Sequence, residues 1–179
     1  MLYLFIVIMV GLDQFIKYVV SQNVELHQIQ PVIHGFFSIT YYLNSGGAFS
    51  FLAERSWGIF LLSCISIIVS VILLVFIFRF RKRDINWIRF ALALLVSGTI
   101  GNMIDRIHAR AVIDFLMFSF GSYTFPIFNL ADMCIVVGSF LLAVLMLFDK
   151  KLFTADANRK IDSSYVSLDS EGKNPSNDV

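Results

Sequence analysis

With 179 residues, 58% of them hydrophobic and 15% charged, and a mean hydropathy of +0.77, the chain is too apolar for an ordinary soluble domain and too short for many membrane spans. It reads as one small polytopic membrane domain. The formal net charge of +1, with the basic residues gathered in two short places, excludes a nucleic-acid footprint, and Cys64 and Cys134 lie inside apolar runs, outside any CxxC or Cys/His cluster, which argues against a disulfide framework or a zinc site.

The first apolar run, Leu2 to Val20, lacks the basic start and small-residue cleavage site of a signal peptide, so it is expected to be transmembrane helix one, about 2–21. Its outer half carries Asp13, Gln14 and Lys17. Asp13 and Lys17 are four apart, on one helix face and in the favourable order for an ion pair. Two readings stay open: a self-satisfying pair that snorkels to the interface, or a contribution of Asp13 to a polar site. Residues 21–55 are too polar to span and too aromatic for disorder. Gly35 to Leu43 has a strand composition, and Asn44-Ser-Gly-Gly supplies residues that tolerate positive φ, so a short sheet or hairpin is expected at about 30–55, on the membrane surface. Asn44 reads as a turn residue, and the neighbouring glycines also permit close approach of backbone to a ligand.

Residues 57–78 form an uncharged run long enough to cross a roughly 30 Å hydrocarbon core. A basic turn follows from Arg79 to Asp84, and helix three is expected over about 87–104, with Trp57 and Trp87 as interfacial anchors. Residues 105–126 read as an external segment of mixed character closed by Pro126. Helix four is expected over about 127–148, with Asp132 in its first turns, where helix capping alone would account for a carboxylate. The Ser/Asp/Asn-rich residues 153–179 read as a disordered cytoplasmic tail after a membrane domain spanning 1–152.

The central loop and helix-three start carry Arg79, Arg81, Lys82, Arg83 and Arg89, and Lys150 and Lys151 follow helix four, whereas the other connections hold only Arg55, Arg106 and Arg110. By the positive-inside rule both termini are cytoplasmic and the polar cluster is outside. The expected fold is therefore all-α and polytopic, with four transmembrane helices and a small extracytoplasmic β-sheet.

That cluster centres on Gly101 to Asp132, which carries several aspartates, asparagines and arginines between apolar runs. Carboxylates flanked by lipid-length segments are costly, so a functional site is the default reading. Asp114 in the connection and Asp132 at the mouth of the next run are placed to meet as an aspartyl pair. A proton relay through Asp13, Asp105 and Asp132 is a rival, weakened because a relay needs carboxylates at several depths and helix two has none. A structural or assembly protein is another. His27, His34 and His108 lack ligand spacing and read as exposed loop residues, and Ser97 and Ser119 have no paired base.

Five motifs, Asp13-Gln-Phe-Ile-Lys17, Asn44-Ser-Gly-Gly-Ala-Phe49, Gly101-Asn-Met-Ile-Asp-Arg106, Val112-Ile-Asp-Phe115 and Phe128-Asn-Leu-Ala-Asp132, occur in order between four apolar runs. In this the chain resembles the lipoprotein signal peptidases (signal peptidase II), bacterial aspartyl proteases of the cytoplasmic, or inner, membrane. The resemblance covers most of residues 10–135. It implies that Asp114 and Asp132 are the catalytic dyad, that Asn44, Gly46, Asn102, Arg106 and Asn129 shape the site or position substrate, and that Asp13, Lys17 and Asp105 are structural polar residues. The implied substrate is a prolipoprotein, cut before a cysteine bearing a diacylglyceryl group, with membrane lipids as the other partner. Ile16 departs from the small hydroxyl residue often found before the lysine.

Two carboxyl groups sharing a water cannot both ionise cheaply, so the pair should carry one proton near neutral pH. The ionised member activates the water, and the protonated one donates to the scissile carbonyl. Such chemistry needs neither metal nor other cofactor, and a monomer is expected. The aromatic segment 36–49 is the candidate clamp over the site, with Phe49 its test position.

Overall fold

The computed structural model describes residues 1–45, 57–79, 81 and 86–148. Gly46, Phe49 and the tail lie outside them. The chain divides into two units, Met1–Leu142 and Ala143–Val179. The first holds the four-stranded sheet and every polar residue discussed below. Of the second, the described part is the end of the last helix.

Among the described residues, four helices are long and apolar enough to cross a membrane: α1 (Leu2–Asn23), α2 (Gly58–Arg79), α3 (Asn86–Ala109) and α4 (Leu130–Phe148). Half of the apolar stretch of α3 is buried in protein, against 11–22% for the other three, so α3 is the central helix and the others turn most of their surface outward. Phe60, Ile68, Phe140 and similar exposed apolar residues on α2 and α4 are what a lipid-facing surface requires. Small residues let α3 and α4 approach closely. A Cβ on Gly98 would meet the carbonyl of Ala131 and lie 2.7 Å from Ile135 Cγ1, and one on Gly138 would lie 2.9 Å from the carbonyl oxygen of Ala91.

The sheet is antiparallel, in the order β1 (Ile29–Ile33), β2 (Phe37–Asn44), β3 (Val112–Phe120), β4 (Tyr123–Thr124). It draws on both connections, whereas the sequence reading put it in the first alone. The run Val112-Ile-Asp-Phe-Leu-Met-Phe-Ser-Phe is as rich in β-branched and aromatic residues as β2, whose free edge it covers. The pairing sets Tyr42 opposite Asp114 and Asn44 opposite Val112. Val20 and Val24 at the end of α1 form a buried cluster with Phe115 of β3, packed by Ile16, Ile39, Leu116 and Leu130. This cluster fixes the sheet onto the end of α1.

Two helix limits differ from expectation, for identifiable reasons. Helix α3 continues past Ile104 to Ala109 because Asp105 turns inward to a partner, and it ends where Arg110 adopts φ 54°, a left-handed residue just past the last turn. Helix α4 starts at Leu130 because Phe128 is held in extended pairing with β3. The carbonyl of Phe128 accepts from Phe115 N–H and Leu116 N–H, at 3.1 and 2.8 Å, and its own N–H donates to Leu116 O.

Candidate active site

Phe128 is stitched to Phe115 and Leu116, so the next residue, Asn129, necessarily falls beside Asp114. Asn129 is fully buried and is the N-cap of α4. Its Oδ1 accepts the backbone N–H of Asp132 at 2.8 Å, while Asp132 Oδ2 accepts the backbone N–H of Asn129 at 3.2 Å. These reciprocal bonds are a capping box with Asp in place of the usual Glu. The capping explanation for Asp132 is therefore correct as far as one carboxylate oxygen goes. The other oxygen, Oδ1, accepts from Asn102 Nδ2 at 2.7 Å.

The amide nitrogen of Asn129 is left to donate across to β3. It reaches Asp114 Oδ1 at 2.6 Å, with Asn102 Oδ1 at 3.1 Å and the carbonyl of Ile113 at 3.3 Å also within range. The other oxygen of Asp114 accepts from Asn44 Nδ2 at 3.0 Å, at the end of β2. Asp114 is 1% exposed. That burial raises its pKa to about 7, the charge of Asp132 pushes it further in the same direction, and the amides of Asn44 and Asn129 partly oppose both.

Behind the two aspartates lies a second layer. Lys17, 1% exposed, reaches Asp13 Oδ2 at 2.8 Å, Asp105 Oδ2 at 2.6 Å and Asn102 Oδ1 at 3.2 Å. Asp13 Oδ1 accepts the backbone N–H of Ala131 at 2.9 Å, and Asp105 Oδ2 that of Ile113 at 3.2 Å. Gln14 closes the group by donating to Asp105 Oδ1 at 2.8 Å. The ion pair anticipated between Asp13 and Lys17 forms, but it faces inward and does not snorkel. It ties α1 to α3, to the first turn of α4 and to β3, the elements that carry Asn102, Asp132 and Asp114.

Asp114 and Asp132 both line a cavity of about 800 Å³. Polar lining gathers at Asn44, Asn102 and Arg106, and apolar lining at Val112, Ile135 and Val136. Arg106 also donates back to the carbonyl of Asn102 at 3.3 Å. A polar patch holding two carboxyl groups is thus continuous with an apolar wall formed partly by α4.

Residues 5–148 match the family model described as signal peptidase (SPase) II. The chain belongs to the signal peptidase II family. Its relatives include the lipoprotein signal peptidase of Bacillus pumilus, 38% identical over 149 residues (83% of this chain, 94% of that protein), and that of Geobacter sulfurreducens, 42% identical over 140 residues (78% and 87%). A bacterial membrane enzyme solved in meso at 2.3 Å resolution superposes with a TM-score of 0.72 at 31% identity, covering 83% of this chain and 88% of that one. The chain is thus a membrane-embedded protease of the family that processes prolipoproteins.

Of the residues named from sequence, Asn44, Asn102, Arg106, Asp114 and Asp132 meet at the cavity, and Asn129 bridges the two aspartates from beneath. Asp13, Lys17 and Asp105 sit in the layer behind, and Gly46 lies outside the described residues. Tyr42, which belongs to the expected aromatic clamp 36–49, also lines the cavity; two positions after Thr40 and two before Asn44 on a strand, it turns to the same face as Asn44. Thr99, Phe125 and Phe128 line it too and were not singled out for a role in the site. The stacked and edge-on rings of Phe37, Phe118, Phe128 and Phe125, 4.9–5.8 Å apart in succession, carry the aromatic surface from the sheet to the cavity. His27 and His34 are exposed as expected, and His108 is exposed too, but on the last turn of α3 and not in a loop.

Proposed function

We propose that the chain is an aspartyl endopeptidase whose dyad is Asp114 and Asp132, and that it cuts prolipoproteins before a diacylglyceryl-modified cysteine. The observation that carries the reading is the tethering of both carboxyl groups to one buried residue, Asn129, at the edge of one cavity: Asp114 accepts from its side-chain amide and Asp132 from its backbone N–H. Asp132, partly exposed to the cavity at the third position of α4, has the helix dipole and two N–H donors to hold a negative charge. Asp114 is buried and holds its proton to about pH 7. Asp132 is therefore assigned as the base and Asp114 as the acid.

Asp132 takes a proton from water as the water oxygen bonds to the scissile carbonyl carbon, and the proton of Asp114 passes to the carbonyl oxygen. In the resulting gem-diol, one hydroxyl returns its proton to Asp114. Asp132 delivers its proton to the amide nitrogen, and the C–N bond breaks to give acid and amine. Arg106, permanently charged, is suited to holding a substrate carbonyl or headgroup and not to moving a proton.

The orientation proposed is sheet and dyad outside, both termini inside, supported by Arg79, Arg81 and Arg89 at the opposite ends of α2 and α3 from the site. The acyl chains then stay beside α4 in the bilayer, while the scissile peptide reaches water. A monomer suffices, because both aspartates and their amide donors come from one chain. Cleavage of a diacylglyceryl-modified prolipoprotein by purified wild type, Asp114→Asn and Asp132→Asn tests the assignment. Each folded variant is expected to lose activity by several orders of magnitude, and normal cutting by either would end it.

A further inference from the structure

The structural residue Lys17 has a second consequence for the site, and it follows from the donor inventory of its neighbours. An ammonium has three donors and no acceptor. All three point at oxygen: Asp13 Oδ2, Asp105 Oδ2 and Asn102 Oδ1. The atom that Asn102 turns toward Lys17 must therefore be its carbonyl oxygen, and its amide nitrogen is forced to the opposite side, where it meets Asp132 Oδ1 at 2.7 Å. Asn129 reinforces the choice, because its Nδ2 also needs an oxygen at Asn102. Turned over, Asn102 would set an amide against an ammonium and a carbonyl against a carboxylate, two repulsions in place of two attractions.

We propose that Lys17 is a positioning residue for catalysis: by fixing the polarity of the Asn102 amide, it aims an N–H at the oxygen of Asp132 and so holds the base in place. This rests on the aspartyl reading above. The same ammonium also binds the carboxylates whose other bonds hold Ala131 and Ile113, the immediate chain neighbours of Asp132 and Asp114. One buried charge thereby sets both the backbone and the hydrogen-bond polarity of the dyad.

Removing Lys17 alone would leave two carboxylates facing each other, so the test pairs Lys17→Met with Asp13→Asn, whose Oδ1 still accepts from Ala131 N–H. kcat and KM for a diacylglyceryl-modified prolipoprotein peptide are measured in detergent for this double variant, for Asn102→Ala and for the triple variant. The double variant is expected to lose about 100-fold in kcat, the cost of one misdirected donor at a reacting group. KM should stay within about twofold, and the triple variant should be no slower than Asn102→Ala. A kcat unchanged in the double variant, or losses that multiply in the triple variant, would overturn the proposal.

Asn102→Asp supplies a check that leaves Lys17 and its ion pairs in place. It keeps an oxygen toward Lys17 and turns the other toward Asp132, so its kcat should fall at least as far as that of Asn102→Ala. Near wild-type turnover would show that the amide N–H is not what Asp132 needs. Asp114→Asn and Asp132→Asn are assayed alongside: active dyad variants would remove the reading beneath the proposal, whereas inactive ones with additive Lys17 losses would overturn the proposal alone.

Discussion

Asn129 and Asp132 cap each other at the start of α4, side chain to backbone in both directions, at 2.8 and 3.2 Å. The same Asn129 side chain donates to Asp114 at 2.6 Å. One side chain thus takes part in both the helix cap and the bonding of Asp114.

The two roles of Asn129 are separable by substitution. Asn129→Ala loses the cap, about 1 kcal/mol, and the donor to Asp114. Asn129→Ser retains an oxygen for the N–H of Asp132 but has no amide to reach Asp114. Thermal unfolding should find the serine variant more stable than the alanine variant, while both lose about 100-fold in turnover. Recovery of turnover by serine would show that the cap alone is what the enzyme needs.

With Asp114 as the proposed acid, its pKa is expected to set the alkaline side of the pH profile. In the proposed mechanism its proton goes to the carbonyl oxygen, and that proton is lost as pH rises through about 7. kcat/KM is expected to decline above that point, approaching about tenfold per pH unit, the slope for loss of one essential proton. A rate that is flat from pH 6 to pH 9 would reassign the acid.

The same shift has a sign in stability. The folded-state pKa lies above the ordinary carboxylate value of 3.8, so the contribution of Asp114 is fully present below that value and is lost as pH rises through about 7. Above pH 7 the protein carries a buried carboxylate at a cost on the order of 4 kcal/mol. Asp114→Asn carries no such charge. Its Tm relative to wild type should therefore climb between pH 4 and pH 8, and a constant difference across that range would contradict the burial argument.

How much of this was legible in the sequence follows from which interactions are local. The four apolar runs and the Asp13–Lys17 pair needed only composition and a helical repeat, and Asp132 in the first turns of α4 needed only Pro126 as a helix boundary. The β3 strand was missed because Asp114 interrupts the apolar character of 112–120 and because its partner, β2, is some seventy residues earlier. The inward face of Lys17 was equally hidden. Nothing within a few residues of it shows that Asp105 and Asn102 will arrive from another helix, so snorkelling stayed open. Motif resemblance supplied what periodicity did not, by naming Asn102 and Asn129 without their geometry.

Close packing between α3 and α4 also keeps the site in register. A Cβ on Gly98 would collide with the Ala131 carbonyl, one residue from Asp132, and backbone there cannot move aside cheaply. Gly98→Ala should cost about 1–3 kcal/mol of stability and reduce kcat by displacing Asp132. By contrast, Gly11→Ala on α1, where a Cβ meets nothing within 4 Å, should leave both unchanged. Equal behaviour of the two variants in thermal unfolding and turnover would mean that the helices have more slack than their contacts indicate.

The apolar wall of the cavity makes a different prediction, because Val136 lines it from α4 yet makes no bond to either aspartate. If acyl chains lie along this wall, enlarging Val136 takes space from the lipid and leaves the dyad alone. Val136→Trp is thus expected to raise KM for a diacylglyceryl-modified substrate by about tenfold, roughly the loss of one or two buried methylenes of contact, with kcat little changed. A substrate with shorter acyl chains should recover part of the affinity in the variant. If Val136→Trp instead lowers kcat at unchanged KM, the wall belongs to the reacting segment, and the lipid must be held elsewhere.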